Sequence, residues 1–123
     1  MSDALSVDQC ARHAGVLPGR VYDYLADGWI SAQKIGPVYA LTTVHAAIVA
    51  VIATAIDAGA APYVVRQLAE RLARCASAAA VERYVSRVAI VHEARMWRLV
   101  DGNLNAGALA MLRLSNGRTI RFA

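Results

Sequence analysis

The side chains best suited to nucleophilic or metal chemistry are two cysteines and three histidines. Their spacing in the sequence predicts neither a catalytic site nor a metal site. Cys10 and His13 stand three residues apart, but no third group is placed to orient the imidazole. Cys75 is far from Cys10 and forms no Cys-x-x-Cys pair, so we expect buried thiols. A soft-metal site would need Cys75 to pair with a second subunit. We expect the three histidines, His13, His45 and His92, to be structural residues.

Enzyme motifs are also missing from the sequence. It contains no G-x-S-x-G, no glycine-rich phosphate loop and no His-Glu-x-x-His. No carboxylates are paired at a spacing suited to general acid–base work. We therefore predict that the protein is not an enzyme, holds no metal and needs no cofactor.

Capping residues and apolar spacing predict two short helices at the start of the chain. Ser6, followed three residues later by Gln9, is the pattern of a capping box, and Gly15 is placed to end the first helix. Pro18 opens a second helix over residues 18–26, which an Asp-Gly pair closes. Two short helices joined by a turn of three or four residues form a helix-turn-helix.

A small hairpin and two longer helices are predicted next. Residues 29–31 and 38–41 are short extended candidates, joined by a segment with Gly-Pro at its tip, and together they form a wing. A third helix begins at Thr42 or Thr43, runs to about residue 58 and is apolar on nearly every face, so we expect it to be central. A fourth, amphipathic helix begins near Pro62.

The first 75 residues carry a recurring set of small, aromatic and aliphatic positions. This set is Ala11, Gly15, Val16, Pro18, Val21, Tyr24, Gly28, Trp29, Ile30 and Gly36. With it, residues 7–41 resemble the N-terminal domain of MerR-type transcriptional regulators, and residues 44–72 resemble the two helices that usually follow. Such motifs also occur in excisionase-like and other winged-helix modules. We therefore expect a winged-helix domain over residues 1–75 and a dimerisation or interaction region over residues 76–123.

The resemblance implies a DNA interface on the second helix and the wing. In such modules the second helix lies in the major groove and the wing contacts the backbone. The DNA-contacting residues implied here are Arg20, Tyr22 and Tyr24 on the helix, with Gln33 and Lys34 in the wing. Tyr24 matches the phosphate-contacting tyrosine of the family. The function expected is that of a bacterial or phage DNA-binding transcriptional regulator that binds double-stranded DNA.

Composition predicts that the chain associates with itself. Of its 123 residues, 58% are hydrophobic, with alanine the most frequent type among them, and only 18% are charged. The chain therefore has more apolar helix surface than one small core can cover, so a homodimer is expected. After Ser77 a helical spacing continues into a β-branched run, and residues 88–100 could be helix or strand. We expect the dimer contact at Val81, Tyr84, Val85 and Val88.

The tail carries the signal of a β-hairpin. Asn116-Gly117 separates two alternating runs, which predicts that Met111 to Leu114 pair with Arg118 to Phe122. Because an isolated hairpin is marginal in water, we expect it to associate with Met96 to Val100 or with the partner chain. The fold class is thus mainly α with small β elements: a winged helix-turn-helix, further helices and a C-terminal hairpin.

The distribution of charge leaves a second function open. Residues 1–60 carry three basic and five acidic side chains, whereas residues 61–123 carry ten arginines and four acidic side chains. An acidic first half favours a protein-interaction adaptor or antitoxin that keeps a winged-helix scaffold and has weak or no DNA binding.

The most apolar stretch, residues 44–61, contains Asp57, so no membrane span is expected. With Asp3 and Asp8 where a signal peptide would be basic and apolar, we expect a cytoplasmic protein.

Overall fold

The computed structural model of the protein describes residues 4–101 and 117–122. Within them the chain is mainly helical with two small antiparallel sheets, as the sequence predicts. The helices are α1 (Val7–Ala14), α2 (Pro18–Ala26), α3 (Thr43–Asp57), α4 (Pro62–Leu72) and α5 (Ala78–Val85). The strands are β1 (Gln33–Ile35), β2 (Val38–Ala40), β3 (Val88–Glu93), β4 (Met96–Asp101) and β5 (Arg118–Arg121).

The first two helices begin and end where their capping residues predict. The Ser6 hydroxyl accepts a hydrogen bond from the backbone N–H of Gln9 at 3.1 Å, and the Gln9 side chain accepts one from the Ser6 N–H at 2.9 Å. Gly15 ends α1 in the left-handed conformation, with φ of 74°, which costs a glycine little. The connection between α1 and α2 is therefore only three residues long, and it packs the two helices against each other.

Helix α3 is the centre of the core, as its uniformly apolar sequence predicts. Helices α1, α4 and α5 all pack against it. Burying one aliphatic side chain such as Ile52, which is fully buried, contributes roughly 1.5–3 kcal/mol. No helix among the described residues has the length and apolar character needed to cross a membrane. The buried residues of α3 are Ala46, Ile48, Val49, Val51, Ile52, Ala53 and Ala55.

The hairpin after α2 forms, but its first strand begins later than predicted. Strand β1 pairs with β2 through Gln33–Ile35, and the two-residue turn contains Gly36 with φ of 61°. The predicted strand over residues 29–31 is wrong, because the backbone N–H groups of Trp29 and Ile30 both bond to the Tyr24 carbonyl, at 2.9 and 3.4 Å. These donors close the end of α2 and are not available to a strand ladder.

Residues 88–100, which the sequence leaves open between helix and strand, form the hairpin of β3 and β4. Its two turn residues, Ala94 and Arg95, have φ values of 52° and 64°. Two consecutive left-handed residues are the geometry of a type I′ turn, whose twist matches that of paired strands. The sequence hides this turn because neither residue is the glycine or asparagine that usually occupies it.

The tail strand is confirmed, and its predicted neighbour is corrected. Strand β5 pairs with β3, with Ile120 opposite Ile90, so the sheet order is β4-β3-β5. The expected association with Met96 to Val100 is therefore wrong: the buried, β-branched β3 takes the central position and separates β5 from β4. The predicted hairpin partner, Met111 to Leu114, and its Asn116 lie outside the described residues.

The residues predicted to form a dimer contact are mostly inside the chain. Val81 and Val85 are 1% and 8% exposed, since α5 packs against α3. Val88 is 5% exposed and begins β3, the central strand of its sheet. Only Tyr84 of the predicted set is partly exposed. This corrects the location of the contact, because side chains covered within one chain cannot also cover a second copy. The homodimer itself stays a prediction.

Candidate nucleic-acid interface

Helix α2 buries one side on the core and turns the other to solvent. Val21 and Tyr24 are buried, whereas Tyr22 is 53% exposed and Asp23 is also exposed. Positions two residues apart on a helix cannot share a face, so only one of the two tyrosines can serve the core. Tyr22 is therefore the tyrosine that α2 presents to solvent.

Arg20, predicted as a DNA contact, lies in a two-pronged ion pair. Its Nη1 donates to Oδ2 of Asp57 at 2.9 Å, and its Nη2 donates to Oδ1 at 2.8 Å. The Arg20 side chain is 30% exposed and that of Asp57 is 63% exposed, so the pair lies at the surface. Parallel guanidinium–carboxylate bonds fix orientation as well as charge. To contact a phosphate, Arg20 would have to exchange the Asp57 carboxylate for it.

The same guanidinium also holds the hydroxyl of Tyr24. Arg20 Nη2 donates to Tyr24 Oη at 2.6 Å, and the ring of Tyr24 lies 5.6 Å from the guanidinium carbon. Only 5% of Tyr24 is exposed, and this burial raises the pKa of its phenol, although Arg20 opposes the rise. Tyr24 is thus a core residue whose hydroxyl reaches the surface beside Arg20.

Asp57 is a member of this cluster that the sequence did not single out. It is the last residue of α3, where the partial negative charge of the helix end disfavours a carboxylate. The hydrogen bonds from Arg20 lower the pKa of Asp57 below its ordinary value. An acidic residue at the end of a helix is the signal that could have indicated a nearby cation.

The β1–β2 hairpin presents the two polar residues that were predicted for the wing. Gln33 and Lys34 lie exposed on β1, and Lys34 is opposite Tyr39, with its Nζ 5.2 Å from the centre of that ring. Within the described part of the chain, Lys34 has no carboxylate at ion-pair distance. At the tip, Ile35 and Val38 are 64% and 59% exposed.

His45 fixes the segment before the β1–β2 hairpin to α3. Its Nδ1 accepts a hydrogen bond from the backbone N–H of Thr42 at 3.0 Å, so Nε2 carries the proton and donates to the Ser31 carbonyl at 2.9 Å. On the other side, the N–H of Leu5 donates to the Leu41 carbonyl at 2.8 Å. The segment before β1 is thereby anchored to α3, and the segment after β2 is anchored to the N-terminal segment.

The described residues contain no group of three or more histidine, cysteine or acidic side chains that could hold a metal. Cys10 is fully buried, and burial raises the pKa of its thiol. A raised pKa disfavours the thiolate that nucleophilic attack or metal ligation needs. Cys75 is half-buried.

No protein-family model, curated protein or solved structure matches the chain.

Proposed function

We propose that the protein is a DNA-binding transcriptional regulator that binds duplex DNA as a homodimer through a helix-turn-helix and a wing. The observation that carries the proposal is the packed pair of helices α1 and α2, joined by three residues and followed by a hairpin that exposes Gln33 and Lys34. A helix of this kind fits the major groove, and a hairpin beside it reaches the flanking backbone. The same order of elements carries the resemblance to MerR-type regulators.

Each exposed side chain of the interface has a chemistry that suits one part of the duplex. The hydroxyl of Tyr22 can donate to acceptors on base edges or to a phosphate, and the carboxylate of Asp23 can accept from the amino group of cytosine. Lys34 supplies a cation for the backbone, and Gln33 supplies an amide donor. In this arrangement Arg20 is a positioning residue, because its bonds to Asp57 and Tyr24 fix α2 on the core.

A second candidate function is a protein-interaction adaptor or antitoxin, which one observation favours. Leu17, Tyr22, Ile35 and Val38 are large apolar or aromatic side chains exposed on the turn, α2 and the wing tip. Exposed apolar surface of this kind is typical of protein-binding sites. Asp23 on α2 and Asp27 just after it, which repel a phosphate backbone, fit this function as well.

A salt titration of binding to a random-sequence duplex separates the two functions. For a DNA-binding protein the logarithm of affinity falls linearly with the logarithm of salt, and removal of one phosphate contact lowers the slope by about 0.9. We expect this reduction for Lys34→Ala. Arg98→Ala removes an exposed cation on β4 and is the matched control, for which the slope is unchanged. Absence of salt-dependent binding by the parent chain would favour the adaptor.

A further inference from the structure

Four arginines surround one concave surface on the side of the chain formed by α4 and α5. Arg71 and Arg74 lie at the C-terminal end of α4, and Arg83 and Arg87 lie on and just after α5. All four are exposed, and the concavity they line has a volume of about 400 Å³. We call this surface the arginine basin.

Charge is segregated around the arginine basin. No acidic side chain of the described residues lines it. Glu70 of α4 faces a different concavity beside Trp29, and Glu82 of α5 faces a third one beside His13. Arg66 of α4 lies with Glu70 in the concavity beside Trp29, whereas Arg71 and Arg83 line the basin together with the two arginines that follow their helices. The described lining of the basin therefore carries one sign of charge, which focuses positive potential there.

Helix stability accounts for only part of this placement. A cation in the last turn of a helix is favourable, which suits Arg71 in α4 and Arg83 in α5. Arg87 lies beyond α5 and lines the same concavity as Arg83, where the two like charges repel each other. An anionic ligand would relieve this repulsion.

We infer that the arginine basin binds backbone phosphates of duplex DNA, as a second contact beside α2 and the wing. The inference rests on the proposed function in that both surfaces bind the same molecule. A guanidinium group can donate two parallel hydrogen bonds to the oxygens of one phosphate. Each strand of a duplex offers a charge about every 3.4 Å along the axis, so one backbone can meet several arginines. The basin is open, and Ala76 and Ala80 in its lining leave room for a backbone to approach. Small ligands instead bind in sites that bury most of their surface.

The double variant Arg83→Ala with Arg87→Ala tests this inference by salt titration on a random-sequence duplex. Loss of two phosphate contacts lowers the slope by about 1.8, so the loss of affinity between about 50 and 200 mM salt becomes roughly tenfold smaller. The control is the double variant Arg83→Lys with Arg87→Lys, which keeps both charges at the helix end and is expected to keep the slope. A thermal melt of each variant verifies that it is folded at the titration temperature.

The outcomes separate this inference from the proposed function. If Lys34→Ala lowers the slope and the double alanine variant does not, the basin is not a DNA contact, while the helix and wing are. If only the double alanine variant lowers it, the basin binds DNA and the proposed interface fails. Saturable binding of tripolyphosphate that requires Arg83 and Arg87, with an unchanged duplex slope, would overturn the assignment to DNA in favour of a small polyphosphate ligand.

Discussion

Arg20 of α2 and Asp57 at the end of α3 form a two-pronged ion pair across 37 positions of the sequence, with bonds of 2.9 and 2.8 Å. The pair neutralises a carboxylate at the negative end of a helix and fixes the orientation of the helix that we propose enters the major groove. Arg20 is also the only basic residue of that helix. In the proposed function, stability and DNA affinity would therefore compete for one guanidinium.

Asp57→Asn is expected to increase affinity for duplex DNA. The substitution releases the guanidinium of Arg20, which can then bind a phosphate and steepen the salt dependence by about one contact, or about 0.9 in slope. Asp27→Asn is the matched control, since it also removes one exposed acidic charge near α2 but leaves the Arg20 pair intact. Equal salt slopes for the two variants would show that Arg20 is not brought to the backbone.

The ion pair should also give stability a specific pH dependence. Hydrogen bonds from Arg20 lower the pKa of Asp57 in the folded protein below its ordinary value of 3.8. The ion pair therefore contributes its full stabilisation of the folded protein when the pH is above the unfolded-state pKa of Asp57. This contribution is lost as the pH falls through the lower, folded-state pKa. We expect the parent chain to melt at a higher temperature than Arg20→Gln at neutral pH. If the difference in melting temperature between the parent chain and Arg20→Gln is unchanged at a pH below both the folded-state and the unfolded-state pKa of Asp57, the ion pair is not the source of the stabilisation.

Local signals in the sequence were sufficient to predict most of the helices and strands. The capping box of Ser6, the glycine after α1 and the proline starts of α2 and α4 depend only on neighbouring residues, and the structure confirms each of them. The Ala94-Arg95 turn was not predictable, because its left-handed conformation is imposed by the twist of β3 and β4 and not by a permissive residue. Placement of β5 beside β3 depends equally on tertiary packing.

The candidate site was less predictable than the fold. Exposure of Gln33 and Lys34 follows from a short hairpin, whose side chains have little core to join. The role of Arg20 could not be read from α2 alone, since its partner Asp57 lies on another helix. Burial of Val81 in the core of the chain was equally hidden, because helical spacing shows that a face is apolar and not what covers it.

Val81→Ala is expected to destabilise each chain without changing its association. The side chain is 1% exposed and packs in the core, so its truncation costs about 1.5 kcal/mol of unfolding free energy. Denaturant unfolding measures this cost, and sedimentation at tens of micromolar measures the dimer. If the variant becomes monomeric and keeps the stability of the parent chain, Val81 lies in the dimer interface and the prediction is wrong.

Thr119→Val is expected to stabilise the protein. The hydroxyl oxygen of Thr119 on β5 is buried with no hydrogen-bond partner among the described residues. Valine has nearly the same shape and removes the unsatisfied polar group, which should raise the free energy of unfolding by about 1 kcal/mol. Thr119→Ser, which keeps the hydroxyl and loses a methyl group, serves as the control and should be less stable than the parent chain.

Amide chemical-shift mapping during titration with a random-sequence duplex at low salt tests the proposed DNA interface most directly. We predict salt-reversible shifts on the exposed side of α2, including Tyr22 and Asp23, and on β1 at Gln33 and Lys34. Amides of the buried centre of α3, such as Ile52, should not move and provide the internal reference. Saturating shifts that leave α2 and the wing unperturbed, or no shifts at any duplex concentration, would contradict the proposal that this chain reads DNA with its helix-turn-helix and wing.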